Sequence, residues 1–284
     1  MQSEKLDVHL IQFSPEWGKT DLSLERMEKQ IIDALGSTLR QAQCPATESG
    51  VERVETPRLV VLPEMFSTGF KFLKEVAEPM TGKTVQWMQK TAQSLNTAIY
   101  GSVLILDNDK LYNRGFFVFP NGEYKCYDKR HCFIMSDEPK HITPGKEIVT
   151  VDYAGWRFRL NICHDLRFPV WSKNIYKDRQ YDYDVLMNTA SWAEGRANVW
   201  RILLHARAIE NLAYCIGVNR VGKDGDGYGY RGDSMVVDPK GVAVAMANPN
   251  EEQAVFIQLS KSALNEFREK FNIGPIWDSY EIKV

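Results

Sequence analysis

Three reactive side chains stand directly after strand-like runs, and together they have the means to cut an amide. Glu64 follows Leu59-Val60-Val61-Leu62-Pro63, Lys129 follows Tyr124-Lys125-Cys126-Tyr127-Asp128, and Cys163 follows Phe158-Arg159-Leu160-Asn161-Ile162. A thiol attacks a carbonyl carbon as thiolate, yet a free cysteine with pKa about 8.5 is mostly protonated at neutral pH. A carboxylate in hydrogen-bond reach takes that proton and later returns one to the departing ammonia. An ammonium and the backbone N–H after the nucleophile would hold the negative oxygen of the tetrahedral intermediate, where one such donor contributes ~2.7–4 kcal/mol. The same carboxylate can then activate water against the thioester. Taken singly, each residue also has a plainer meaning. A cysteine at a strand end is usually a small buried hydrophobe, and a lone Glu or Lys beside a strand is usually solvated. The three lie far apart in sequence, so spacing alone does not join them.

The elements that would have to join them alternate along the chain. Residues 6–13 (LDVHLIQF) read as a strand, and residues 21–42 as a helix with Leu24, Met27, Ile31, Ile32 and Leu35 at helical spacing. Residues 58–63 form a short apolar run suited to a buried sheet, and 44–57 carry no periodicity and read as a surface loop. Further on, 84–95 reads as a helix, 98–106 and 111–119 as strands, and Pro120-Asn121-Gly122-Glu123 as a hairpin turn. Residues 158–163 read as a strand, 170–178 as a helix and 185–188 as a strand. Residues 197–212 read as a helix with Val199, Ile202, Leu203, Ala206 and Ile209 on one side. Strands over 214–219, 234–237 and 254–259 and a helix over 261–270 complete the pattern. Interleaving of this kind predicts an α/β fold with a largely buried sheet, whose ligand crevice lies beyond the carboxyl ends of strands. Without a low-complexity linker or repeat, residues 1–284 read as one domain.

Composition narrows the function classes. The 284 residues hold 35 basic and 37 acidic side chains, a net charge of −2, and no basic run of the kind that tracks a phosphate backbone. This disfavours nucleic acid as a partner. No apolar stretch is long enough to cross a bilayer and the polar start does not read as a signal peptide, so no membrane partner is expected either. Five cysteines, at 44, 126, 132, 163 and 215, lack paired spacing and suit free thiols in a reducing compartment, with the cytoplasm as default.

The local contexts sharpen the chemistry. Residues 62–70 (LPEMFSTGF), 127–131 (YDKRH) and 161–169 (NICHDLRFP) resemble the three signature segments of the nitrilase superfamily of carbon–nitrogen hydrolases, in that family's order. Residues 206–211 (ARAIEN) and Gly232-Asp233-Ser234 are similar to further family features. Residues 188–192 (NTASW) and 211–222 (NLAYCIGVNRVG) resemble the omega-amidase branch. The resemblance implies a nitrilase-like four-layer α-β-β-α sandwich that pairs into a homodimer or higher homo-oligomer through helices, with neither metal nor organic cofactor. It implies hydrolysis of the terminal amide of 2-oxoglutaramate or 2-oxosuccinamate. Glu64 becomes general base and acid, Lys129 the partner of the tetrahedral intermediate, Cys163 the nucleophile, and Glu138 a second glutamate orienting Lys129 or the substrate. His164 stands where the family more often has Tyr, and Cys132 where Leu is commoner, which bears on the pocket wall.

Other constellations are weaker. Cys163 and His164 are neighbours, and neighbours on a strand point to opposite faces, which argues against a papain-like pair; a partner from His9, His131, His141 or His205 has no motif behind it. Cys126, His131, Cys132 and His141 lack the paired spacing of a zinc site. Asp224-Gly225-Asp226-Gly227 loosely resembles a calcium loop without its terminal acid and reads as a turn. Arg167 fits either a structural ion pair or a fork on a substrate carboxylate. Trp192, Phe66 and Met65 are candidates for the pocket wall or for core, and Tyr228 and Tyr230 for a covering loop. Two alternatives to omega-amidase activity stay open on sequence: another aliphatic amidase or carbamoylase of the superfamily, and a silent scaffold, against which the three retained reactive groups argue.

Overall fold

The structure is a computed structural model that describes residues 3–42 and 55–283, with side chains omitted at 38–42. Most of the loop read at 44–57 therefore lies outside the described residues. In chain order, β1 (Lys5–Gln12), α1 (Thr20–Ala42), β2 (Arg58–Val61), α2 (Lys83–Ser94), β3 (Ala98–Asp107), β4 (Lys110–Val118) and β5 (Tyr124–Asp128) make the first half. The second half follows with β6 (Thr150–Tyr153), β7 (Trp156–Ile162), β8 (Val185–Ala190), α3 (Ala197–Asn211), β9 (Tyr214–Asn219), β10 (Met235–Val237), β11 (Ala243–Met246), β12 (Gln253–Ser260) and α4 (Lys261–Lys270).

These strands form two six-stranded sheets, ordered β12-β1-β2-β3-β4-β5 and β11-β10-β9-β8-β7-β6. The two-residue period of a strand explains how both faces are buried. In β2, Leu59 and Val61 enter the core shared with the second sheet. Val60 and, just past the strand, Leu62 instead pack with Leu24, Met27 and Ile31 of α1 and Val85 and Met88 of α2. On the far side, Trp200, Leu204 and Ala208 of α3 and Leu264 of α4 cover the second sheet. The result is the expected α-β-β-α sandwich. Among the described residues no helix is long and apolar enough to cross a membrane.

Three readings of local structure need correction. The apolar side read on α3 is only partly the buried one: Val199 and Leu203 pack against the core, while Ile202 and Ile209 are 57% and 50% exposed. The buried side carries Arg207 and Asn211 beside Trp200, Leu204 and Ala208. Both are held by hydrogen bonds, Arg207 Nη2 donating to the Leu166 carbonyl at 2.7 Å and Asn211 Nδ2 to the Arg207 carbonyl at 2.8 Å, which apolar periodicity cannot reveal. The helix read at 170–178 stops at Ser172. Asn174 Oδ1 accepts from the Ile175 and Tyr183 amides at 3.0 and 3.1 Å, diverting the backbone from helix. Strands β6 and β11, unread in sequence, are sheet edges with few buried residues, so they lack the alternation that marks a half-buried strand.

Candidate active site

Topology brings the predicted residues to one edge of the sandwich. Strands β1, β2 and β3 are parallel, while β4 runs antiparallel to both β3 and β5. The ends of β2, β3 and β5 therefore share an edge with the beginning of β4. Glu64 leaves β2 in a turn, Lys129 follows β5, and Asn113 lies early in β4. Parallel strands β7 and β8 of the second sheet end opposite them, delivering Cys163 and Ser191.

Lys129 is the hub, fully buried with both glutamates around it. Its Nζ donates to Glu64 Oε1 at 2.8 Å and to Glu138 Oε1 and Oε2 at 2.8 and 2.9 Å. Asn113 Nδ2 donates to the same Glu64 oxygen at 2.7 Å and to Glu138 at 3.3 Å. The other oxygen of Glu64 accepts from the Ser191 amide at 2.7 Å, and Glu138 Oε2 accepts from the Phe133 amide at 2.6 Å. Four chain segments are thus tied to one cation, and both carboxylates are held without reach to bulk water. Asn113 and Phe133 were not singled out in sequence, and Ser191 entered only as part of the 188–192 segment, without a role. Asn113 and Ser191 meet Glu64 across 49 and 127 residues, and nothing in the local sequence marks Phe133 as the donor to Glu138.

The charges shift one another. Burial pushes Glu64 above its ordinary carboxylate value and Glu138 adds to that, while Lys129 opposes it. Burial disfavours the Lys129 cation, but Glu138 and Glu64 outweigh it and hold Lys129 well above its usual range. Burial first, then the charge of Glu64, raises the Cys163 thiol well above its usual value. At rest Cys163 is therefore a protonated thiol. The Ser191 amide that holds Glu64 lies near enough to the Cys163 sulfur to oppose that rise slightly.

Cys163 is not the last residue of its strand. It opens a 3-10 turn with φ +46°, in the left-handed region, a conformation that costs a non-glycine residue and persists only where neighbours enforce it. Asp165 is the principal neighbour. Its Oδ2 accepts from the Ile162 amide at 2.9 Å and the Tyr127 hydroxyl at 2.7 Å, and its Oδ1 from the His131 amide at 2.9 Å. His131 Nδ1 pairs with that same Oδ1 at 2.8 Å. The turn also corrects the argument about His164. Because the two residues leave the strand, Cys163 and His164 line the same cavity. His164 Nδ1 donates to the Cys132 carbonyl at 3.1 Å, which leaves Nε2 unprotonated in the neutral ring. Burial keeps His164 below its usual value.

The cavity, of about 20 Å³, is floored by Cys163, His164 and Ser191. Phe70, Phe133, Trp192, Arg167 and Arg196 wall it. Trp192 stands where the sequence reading put it. Arg167 makes no ion pair among the described residues and rests on the Trp192 ring, its guanidinium carbon 5.1 Å from the centroid. Phe66 and Met65 do not reach the cavity: Phe66 packs on Trp87 behind the first sheet, and Met65 with Leu104, Leu111 and Ile142. The turn at Glu64 explains this, because Met65 adopts φ +47° and its amide binds Ser102 Oγ at 3.0 Å, turning the chain inward. Tyr230 also misses it, its hydroxyl donating to Asp224 Oδ2 at 2.7 Å, and Tyr228 is exposed. His9, His131, His141 and His205 lie outside the lining.

A buried thiol and a glutamate–lysine–glutamate unit between the sheets of an α-β-β-α sandwich define an amidase of the carbon–nitrogen hydrolase kind. The chain belongs to the carbon–nitrogen hydrolase family, whose model, described as Carbon-nitrogen hydrolase, matches residues 31–269. It is similar to omega-amidase YafV of Escherichia coli strain K12, with 43% identity over 77% of this chain and 82% of that protein. A 2-oxoglutaramate amidase of Bacillus subtilis is 32% identical over 78% of this chain and 83% of its own. Among solved structures, a CN-hydrolase superfamily protein from Xanthomonas campestris, with an arsenic adduct in its active site, superposes with TM-score 0.86 at 34% identity, covering 99% of this chain and all of that one.

Proposed function

We propose that this protein is an omega-amidase acting on 2-oxo dicarboxylate monoamides by a cysteine thioester route, in one domain spanning residues 1–284. The observation that carries the reading is the cavity at Cys163, where the nucleophile shares its walls with Arg167, a guanidinium without a carboxylate partner among the described residues. An amide bearing an acid at its far end supplies that partner. The relatives named omega-amidase and 2-oxoglutaramate amidase support the same substrate class.

In this mechanism Glu64 takes the Cys163 proton as sulfur bonds to the amide carbon. Lys129 and the His164 N–H hold the resulting oxyanion, with Glu138 and Asn113 fixing the lysine. Glu64 returns the proton to nitrogen, the C–N bond breaks and ammonia leaves. Water, deprotonated by Glu64, attacks the thioester; the C–S bond breaks, the sulfur recovers the proton, and the 2-oxo acid departs. Ammonia release from 2-oxoglutaramate and 2-oxosuccinamate, against glutamine and a simple aliphatic amide, tests the assignment. Preference for the 2-oxo amides is expected; release confined to the controls would move the enzyme to another amidase class.

The exposed α3 face supports pairing with a second copy, since Ile202 and Ile209 are large apolar groups left in water on one chain. Ile209 is continuous with the segment at Gly241 and the exposed Val242 and Val244. Sedimentation velocity should give a dimer for wild type and a shift toward monomer for Ile202→Glu with Ile209→Glu. A wild-type monomer would contradict the pairing.

A further inference from the structure

Arg196 lies across the same cavity from the nucleophile and was not singled out in the sequence. Its guanidinium carbon stands 4.7 Å from the centroid of the Phe133 ring, and among the described residues it forms no hydrogen bond or ion pair through its side chain. Most arginines elsewhere do find a carboxylate, as Arg26, Arg114, Arg159 and Arg268 do. Arg167 and Arg196 share the opposite arrangement: each is parked on an aromatic ring at the rim of one cavity, and no Asp or Glu lines that cavity. A guanidinium on an aromatic face keeps its in-plane N–H groups free to fork onto an anion.

Both platforms are wired to the charge unit. The Phe133 amide donates to Glu138 Oε2 at 2.6 Å. The Trp192 indole donates to the Arg196 carbonyl at 2.9 Å, and its neighbour Ser191 holds Glu64. The position of Arg196 relative to the reacting atoms is therefore set by short connections, while its long side chain can adjust. The cavity is small and its two cationic side chains are Arg167 and Arg196, so these are the groups placed to meet the charged end of a substrate.

We infer that Arg196 is a specificity-determining residue that, with Arg167, clamps the acid end of the substrate and so selects amides carrying a carboxylate. The inference rests on the omega-amidase reading and deepens it. The end remote from the amide in a 2-oxo dicarboxylate monoamide presents three acceptor oxygens, two of the carboxylate and one of the ketone. Arg167 takes one carboxylate oxygen, and Arg196 the other together with the 2-oxo oxygen. A single guanidinium cannot engage all three in one plane with equal geometry, which gives the second arginine its purpose.

The test compares wild type, Arg196→Met and Arg196→Lys on 2-oxoglutaramate and on pentanamide, a neutral amide of equal chain length, with inhibition by 2-oxoglutarate as a readout independent of turnover. Arg196→Met should lower kcat/KM for 2-oxoglutaramate about 30-fold, mainly through KM, as expected for loss of a charge-assisted fork. Its effect on pentanamide should be at least ten times smaller, inhibition by 2-oxoglutarate should weaken in parallel, and Arg196→Lys should recover part of the loss. A wild-type preference that survives Arg196→Met, or equal losses on both amides, refutes the role of Arg196 and leaves the omega-amidase reading standing. Absence of any wild-type preference for the acid-bearing amide refutes that reading, and this inference with it.

Discussion

Cys163→Ala is expected to lower kcat/KM for 2-oxoglutaramate by at least about 10⁴-fold, the scale on which loss of a covalent nucleophile falls. The effect is large because no other nucleophile shares the cavity floor: Ser191 points its hydroxyl at the Glu64 carbonyl, 3.3 Å away, and His164 is turned to the Cys132 carbonyl. The fold should persist. Alanine removes one sulfur facing the cavity and keeps the same backbone demand at φ +46°, so the stability change should be about 1 kcal/mol, ordinary for a single substitution. Ammonia release and thermal unfolding measured on the same preparation separate the two effects. Retained activity in a folded variant would reject Cys163 as nucleophile.

Glu64→Gln should cost about 10³-fold in kcat, within the range of a lost general acid–base group, and should also remove the acid limb of the pH profile. Glu64 is pushed up from 4.5 by burial and by Glu138, against the pull of Lys129. The carboxylate form needed to take the thiol proton is thus lost as pH falls through a value above 4.5, and wild-type kcat/KM should fall there. Stability runs the other way. A carboxyl with a raised folded-state pKa contributes most below its unfolded value, and that contribution is lost as pH rises through the folded value. The active form of the enzyme therefore carries an ionisation that the fold resists, tolerable because Lys129, Asn113 and the Ser191 amide all contact that carboxylate. An acid limb unchanged in Glu64→Gln would assign it to another group.

The three principal residues were legible because each follows a strand-like run inside a segment resembling the family. Their joining was not, since Glu64 meets Lys129 across 65 residues and Ser191 across 127. Periodicity located α1, α2 and α4 to within a residue or two, although their buried faces also carry Ser23, Thr84, Thr91 and Arg268. It failed on α3, where the sheet-facing side buries Arg207 and Asn211, each held by hydrogen bonds. Cys163 and His164 would face apart on a strand, but the left-handed conformation of Cys163 ends the strand before them. Arg196, Phe133 and Phe70 gave no local sign, because a rim is made by loops whose approach depends on the packing of both sheets.

A thioester on Cys163 can be trapped by rapid acid quench of wild-type enzyme mixed with 2-oxoglutaramate, followed by peptide mass mapping. The peptide containing Cys163 should gain the mass of the substrate less ammonia in the first turnover, and the Cys163→Ala protein should form no such adduct and release no ammonia. The same mass on another residue, or ammonia release undiminished in Cys163→Ala, would contradict a thioester on Cys163.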